Sequence, residues 1–403
     1  MLNITEIQSY FTIRNFATFI LVLFCVHYIP LETRASVSMI KTVASAICCL
    51  VFIVQVPYAT KALVLATIYF LTILLSAIFH METFRASTLL YLCSFLITFI
   101  TMYNLVYVKR VFTLAYFTEI VKKLIYTLAI VLVIQQCFIV AGIRIFSLIN
   151  LTQILDRGIG ANSLTMEPSV FARMMGVLLY AYMECVSFRE NSKFRFKQLF
   201  EQEHKWVTIG FLWSMLTMGS GTAFIVLGVL SLYFINWRNA LIVIPLLTGL
   251  IYIGSLMGIE QFDRAYNTTQ ATFTMDKESV AETDGSAYMR IAPMLNTIKN
   301  LDLSKKEHWF GYGIDKGLVN KNERMIGEIT DYGFLAYILG LVLVFSCSIR
   351  FLSIPTIMYF VGIGGGTGNI AYGWGILIVF MCVRYFFHHH PSPSTPQEES
   401  DIK

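Results

Sequence analysis

Uninterrupted apolar runs, each long enough to cross the hydrocarbon of a bilayer, recur along the whole of this 403-residue chain. A membrane span needs about 20 residues as a helix. Lipid offers no partner for backbone N–H and C=O groups, so such a run pairs them internally and coils. The runs are continuous and do not alternate, which argues against a β-barrel. Composition agrees, with 56% hydrophobic and 14% charged residues, against about 25% charged in a soluble domain. The expected class is all-α, a polytopic integral membrane protein.

The runs place about twelve spans, near 14–31, 38–56, 60–79, 87–107, 124–143, 169–188, 206–219, 222–236, 240–256, 331–350, 354–366 and 369–387. The first begins beside Arg14 with no small-residue cleavage site after it, and reads as a retained span. Gly219-Ser220-Gly221 predicts a tight hairpin between the seventh and eighth spans. "GIGGGTGN" closes the eleventh, and four glycines within 362–366 break a helix, so this span is a candidate re-entrant segment. The order divides into N-terminal helices (1–143), central helices (144–256, with an outer loop at 144–168), a large loop (257–330), C-terminal helices (331–387) and a tail (388–403). Proline, serine and acidic residues predict disorder in the tail.

Lysine and arginine in the short loops set the orientation. Lys109, Arg110, Lys122 and Lys123, and five basic residues within 189–205, mark the cytoplasmic side. Segment 108–123 has an apolar middle and reads as an amphipathic helix lying on the inner surface. Both termini are then cytoplasmic, and 144–168 and 257–330 lie outside. Within the large loop, "GSAYMRIAPMLNTIKNL" sets Tyr288, Ile291, Leu295 and Ile298 on one helical face, with Pro293 bending that helix or capping its start. All eight cysteines fall inside apolar runs without a CxxC and read as small buried hydrophobes. His388–His390 read as a snorkelling cluster at the membrane edge. There is no P-loop, dinucleotide fingerprint, HExxH or GxSxG. No metal, cofactor or nucleic-acid partner is expected.

Ionisable residues within spans are functional candidates, and there are few. Glu184 lies near the inner end of the sixth span, placed to snorkel or to pair with Arg189. Arg173 lies about one turn inside the outer end of the same span. Deep acids and an internal repeat are otherwise missing, which ranks transport second. Charge gathers instead at the outer leaflet, from Arg144, Arg157, Glu167 and Arg173, and from Arg290, His308, Lys316 and Arg324 in the large loop. Pro168 suits a helix start, and open amides there favour an anion. With Arg173 reaching back, they form a cradle for the phosphate or pyrophosphate of a lipid. A guanidinium suits this task because it binds phosphate through two parallel bonds and stays charged. The plainer alternative is that Glu167 and Arg173 pair and anchor the helix end.

"LTMEPSVFA" before a span, the hairpin "TMGSGTAF", and a loop arginine followed by "HWFGYGIDKG" together resemble the Wzy-type O-antigen polymerases. They also resemble the wider O-antigen ligase/polymerase family. The loop closes with "ITDYGFLAYILGL", similar to that family's acidic-x-Gly start of the next span. The resemblance covers roughly 150–350. It implies a metal-independent glycosyltransferase of the membrane GT-C kind in the bacterial inner membrane. Its donor and acceptor would be undecaprenyl-pyrophosphate-linked oligosaccharides, joined at the periplasmic face into O-antigen, capsular or exopolysaccharide. A flippase and a chain-length co-polymerase would be partners besides membrane lipid.

Arg290 matches the family's loop arginine and would stabilise the leaving pyrophosphate, with Arg173 next. Glu167, then His308, would take the acceptor's proton. Trp309 and Tyr312 would stack on sugars or pack the loop onto the membrane domain, and Gly311 and Gly313 would make its turn. Arg157 and Arg324 would add cations for the diphosphate. The ligases resemble one another in an "HNxxL" histidine about eleven residues before the loop-ending glycine. Counting back from Gly333 reaches Asn322, so polymerase is favoured over ligase, with a lipid-linked-sugar transporter as a further alternative.

Overall fold

A computed structural model describes residues 13–26, 39–55, 59–152, 158–235, 285–314, 325–366 and 371–389, with isolated positions between 245 and 253. These residues are helical almost throughout. In chain order the helices are α1 (Ile13–Cys25), α2 (Met39–Gln55), α3 (Lys61–Phe79), α4 (Ala86–Tyr103, continued by a π turn to Val108) and α5 (Leu114–Val140). Next come α6 (Pro168–Glu190), α7 (Lys205–Thr217), α8 (Gly221–Ser231), α9 (Gly285–Asn300) and α10 (Lys306–Phe310). The last four are α11 (Gly327–Tyr332), α12 (Phe334–Cys347), α13 (Ile354–Ile363) and α14 (Ala371–His389). Among the described residues one strand pair occurs, Ile145–Phe146 against Leu151–Thr152, antiparallel and turned at the left-handed Asn150.

Among the described residues, five helices are long and apolar enough to cross a membrane: α3, α4 with its π turn, α5, α6 and α14. Helices α1, α2, α8, α12 and α13 are apolar but shorter. The expected ninth span, 240–256, lies almost wholly outside the described residues, as do the tail from 390 and much of the large loop.

Burial sorts the helices. The apolar window of α6 is 94% buried, whereas that of α3, the most apolar of the five, is 33% buried. α6 is therefore the central post, ringed by α5, α8, α13 and α14. The apolar surface left outside, including Leu50, Leu71, Phe79, Val140 and Leu216, is what hydrocarbon would cover. Small residues allow close helix approach. A Cβ on Gly176 of α6 would fall 2.2 Å from Val226 of α8, and one on Gly375 of α14 would fall 2.3 Å from the carbonyl oxygen of Phe24 in α1. Phe99 meets Trp374 edge-on at 5.4 Å, and Phe117 meets Phe386 at 5.6 Å.

Three local expectations change. Residues 114–123 form no separate surface helix; they are the first turns of the 27-residue α5, started where Thr113 Oγ1 accepts from the Tyr116 amide. The apolar residues that suggested a surface helix, Phe117, Ile120 and Val121, are core. In α9, Ile298 is 81% exposed and the buried stripe is Ala292 and Asn296, because Met294 beside it packs on Met325, Ile326, Ile329 and Tyr337. Pro293 lies inside that helix, not at its start. Among the cysteines, Cys137 is exposed and Cys49 and Cys93 half-buried, as expected of small residues facing lipid. The hairpin between α7 and α8 does form, with Gly219 at φ +73°. α13 has only 10 residues before Gly364 and Gly365 turn left-handed, roughly 15 Å of helix, or half a bilayer core.

Candidate functional site

Pro168 occupies the first turn of α6, with Glu167 extended before it as the cap residue. Glu167 is exposed and accepts from the Ser169 hydroxyl at 3.2 Å. Arg173 follows six residues later, about 240° round the helix at 3.6 residues per turn. Partners on one face stand three or four apart. Among the described residues, no ion pair joins the two. Arg173 turns inward instead and is only 5% exposed. Its Nη1 donates to the Tyr372 hydroxyl at 2.7 Å, and its guanidinium lies 5.7 Å from the centre of that ring. Its Nε is buried with no hydrogen-bond partner.

Arg173 opens onto a narrow apolar crevice walled by Val177, Val226, Met358 and Gly362 from α6, α8 and α13. A buried guanidinium without a carboxylate is costly. Gly362 adjoins its stem, and a Cβ there would sit 4.0 Å from Arg173 Cδ, an ordinary contact.

The W-F-G-Y-G stretch forms a strap across the end of α3. Ser76 Oγ donates to the Phe310 carbonyl, and His80 Nε2 lies 2.9 Å from the Gly311 carbonyl oxygen. The Tyr312 amide donates to Thr330 O of α11 at 2.8 Å. Backbones touch here: a Cβ on Gly333 would lie 2.1 Å from Trp309 O, and one on Gly311 2.5 Å from Asp331 O. All three glycines of the strap and its neighbour have positive φ, Gly311 +80°, Gly313 +93° and Gly333 +93°, where side chains are strained. The Trp309 indole donates to Leu303 O at 2.9 Å and meets Phe334 edge-on. His308 is buried. Its Nδ1 accepts from the Asp302 amide at 2.8 Å, so Nε2 carries the proton and faces the Tyr312 hydroxyl at 2.8 Å. Both ring nitrogens are engaged in this arrangement. Asp302 is held below its ordinary carboxylate range by the hydroxyl and amide of Ser304.

One group that the sequence reading passed over lies deeper. Glu328 of α11 is buried, and Oε1 accepts from the Tyr69 hydroxyl at 2.6 Å. Tyr69 is in the middle of α3, so this carboxylate from the end of the large loop sits well inside the helical bundle. Its Oε2 would lie 3.3 Å from a Cβ on Gly366, and Tyr359 Oη donates to Gly365 O at 2.9 Å beside it. A Cβ on Gly365 would meet Tyr337 Oη at 3.2 Å. Arg173 and Glu328 thus address the same turn, one at Gly362 and the other at Gly366. The apolar neighbours Met325, Ile326 and Ile329 were the available signal that Glu328 is buried.

Of the residues singled out from sequence, Arg173 and Glu167 lie at the same helix end, and His308, Trp309 and Tyr312 lie together in the strap. Arg290 lies in α9, its side chain outside the described residues; Arg157 and Arg324 are outside them altogether. At the opposite end of α6 is a basic belt. Arg189 pairs with Glu203 at 2.7 Å, Arg384 donates to Ile349 O at 2.8 Å, and Arg350 stacks on Phe387 at 3.8 Å. Compared with family models, curated proteins and solved structures, the chain matches none.

Proposed function

We propose that this protein is a metal-independent membrane glycosyltransferase of the GT-C kind, with about twelve spans, in the bacterial inner membrane. It joins undecaprenyl-pyrophosphate-linked repeat units into O-antigen, capsular or exopolysaccharide at the periplasmic face. The observation that carries this reading is Arg173: buried, short of a hydrogen-bond partner on Nε, without a carboxylate within ion-pair distance among the described residues, and facing a crevice. An anionic ligand would complete it, and a diphosphate on a lipid tail suits an apolar crevice in a bundle. As the glycosidic bond to the diphosphate breaks, charge develops on the leaving group. A fixed cation already in place lowers that barrier. Arg290 would act with Arg173 from the large loop. The basic belt at the far end of α6 supports putting Arg173 at the outer leaflet and both termini in the cytoplasm. Trp309 and Tyr312 offer ring faces to sugars, and a flippase and chain-length co-polymerase would work beside the protein.

One observation favours a second reading, a lipid-linked-sugar transporter: Glu328 lies at the level of mid-α3, beside a helix broken by glycines, where transporters place coupling acids. Deleting the gene separates the two. A polymerase deletion leaves surface glycan one repeat unit long, and Arg173→Ala reproduces that state at normal protein level. A transporter deletion traps lipid-linked units at the cytoplasmic face. A ligase deletion leaves lipid A core bare while polymerised glycan accumulates on its carrier.

A further inference from the structure

Glu328 is a buried carboxylate in the interior of a membrane-type bundle, where an ionisable group is expensive and usually functional. It reaches that depth because α11 folds in under the strap, where the Tyr312 amide ties to Thr330 O. Tyr69 Oη fixes one carboxylate oxygen. The other lies close against Gly366, where a Cβ would sit only 3.3 Å from it. The same turn has irregular backbone, left-handed at Gly364 and Gly365. At membrane depth such backbone is tolerated where protein buries it or it lines a polar cavity. The stem of Arg173 lies near Gly362 at one end of the turn and Glu328 Oε2 lies near Gly366 at the other, so both residues adjoin one short piece of chain.

Resting on the polymerase reading above, we infer that Glu328 is the proton acceptor of the transfer, held by Tyr69 beside the Gly362–Gly366 turn that Arg173 adjoins at its other end. The acceptor sugar's hydroxyl oxygen bonds to the donor's anomeric carbon. The bond from that carbon to the pyrophosphate oxygen breaks, and its electron pair departs on undecaprenyl pyrophosphate beside Arg173. The hydroxyl proton passes to Glu328 Oε2 and then to water, which restores the carboxylate. His308 is poorly suited to this step, since protonating Nδ1 would break its bond from the Asp302 amide.

The test uses the full-length protein purified in detergent with undecaprenyl-pyrophosphate-linked repeat units. Released undecaprenyl pyrophosphate is measured per mole of monodisperse protein. Glu328→Gln is expected to slow release by about 100-fold or more, the usual worth of a positioned base. Glu328→Asp keeps part of the rate and moves the acid limb of the pH–rate profile, and Gly366→Ala, which crowds Oε2, lowers the rate without abolishing it. If Glu328→Gln is not monodisperse, Glu328→Asp and Gly366→Ala decide alone, and wild-type rates with an unmoved acid limb in both overturn the assignment. Release by Glu328→Gln within threefold of wild type, while Arg173→Ala is inactive, overturns the base assignment and leaves the polymerase standing. No release by the wild-type protein, with lipid-linked units trapped inside the deletion strain, overturns both.

Discussion

Arg173 and Tyr372, 199 positions apart, meet through a 2.7 Å hydrogen bond from the guanidinium to the phenol. The bond joins the N-terminal end of the most buried of the five long apolar helices to the first turn of α14, and it holds one edge of the guanidinium while Nε stays without a partner. Tyr372→Phe keeps the ring and the charge but frees the guanidinium to rotate. A hydrogen bond to a charged group is worth about 1.5–3 kcal/mol, so glycan-chain formation should fall about tenfold or more, read as chain length in a complemented deletion strain.

A buried charge without a carboxylate partner carries a cost in the folded protein. Arg173→Met removes the desolvated guanidinium and fills its space with an apolar chain. Removing an unpaired buried charge relieves its desolvation cost. The variant should therefore unfold at the wild-type temperature or above in detergent while transfer falls about 10²–10³-fold, the usual loss when a charge-stabilising donor is removed. Arg173→Lys should also be impaired, because the ammonium lacks the planar fork. A lower unfolding temperature for Arg173→Met would mark the arginine as structural.

The strap is built on glycine. Gly333→Ala forces a side chain into φ +93° and toward Trp309 O. The backbone conformation alone costs about 1–3 kcal/mol, and the contact adds to it. Membrane-inserted protein level and thermal stability should both drop. Gly142→Ala, also at positive φ but with open space around it, should lose less. Tyr312→Phe keeps the aromatic face and removes the partner of His308 Nε2; it should cost about 1 kcal/mol with transfer per folded molecule close to wild type.

Much of the helical order was legible because periodicity and run length are local properties. Apolar runs located α3, α4, α6 and α14, and glycines marked both the α7–α8 turn and the break after α13. What misled was the use of apolar residues for two purposes. Phe117 and Val121 look the same in a chain whether they enter lipid headgroups or a core, so the first turns of α5 were read as a surface helix. Ile298 fitted a helical stripe, but tertiary packing chose Ala292 and Asn296. Arg173 stood out because a charge in an apolar run is conspicuous. Glu328 did not, because it lies among other charges in the loop, and its contact with Tyr69 is 259 positions away, beyond any local pattern.

On the opposite side, His204 Nδ1 lies 2.8 Å from Tyr182 Oη, and burial holds the imidazole below its ordinary value of 6.5. The folded value is depressed, so the unfolded chain binds the proton first on acidification. The contribution to stability is complete above about pH 6.5 and is lost as pH falls through the folded value. Thermal unfolding at pH 7.5 and pH 5 should show a smaller acid-induced drop for His204→Gln than for wild type. An equal drop in both would assign the sensitivity to other groups.

The most direct measurement reconstitutes the purified protein in lipid nanodiscs with undecaprenyl-pyrophosphate-linked repeat units and follows glycan length and released carrier together, with a chelator present. The account predicts one undecaprenyl pyrophosphate freed for each bond formed, no loss to the chelator, and almost no product from Arg173→Met. Long glycan made at the wild-type rate by Arg173→Met would contradict it.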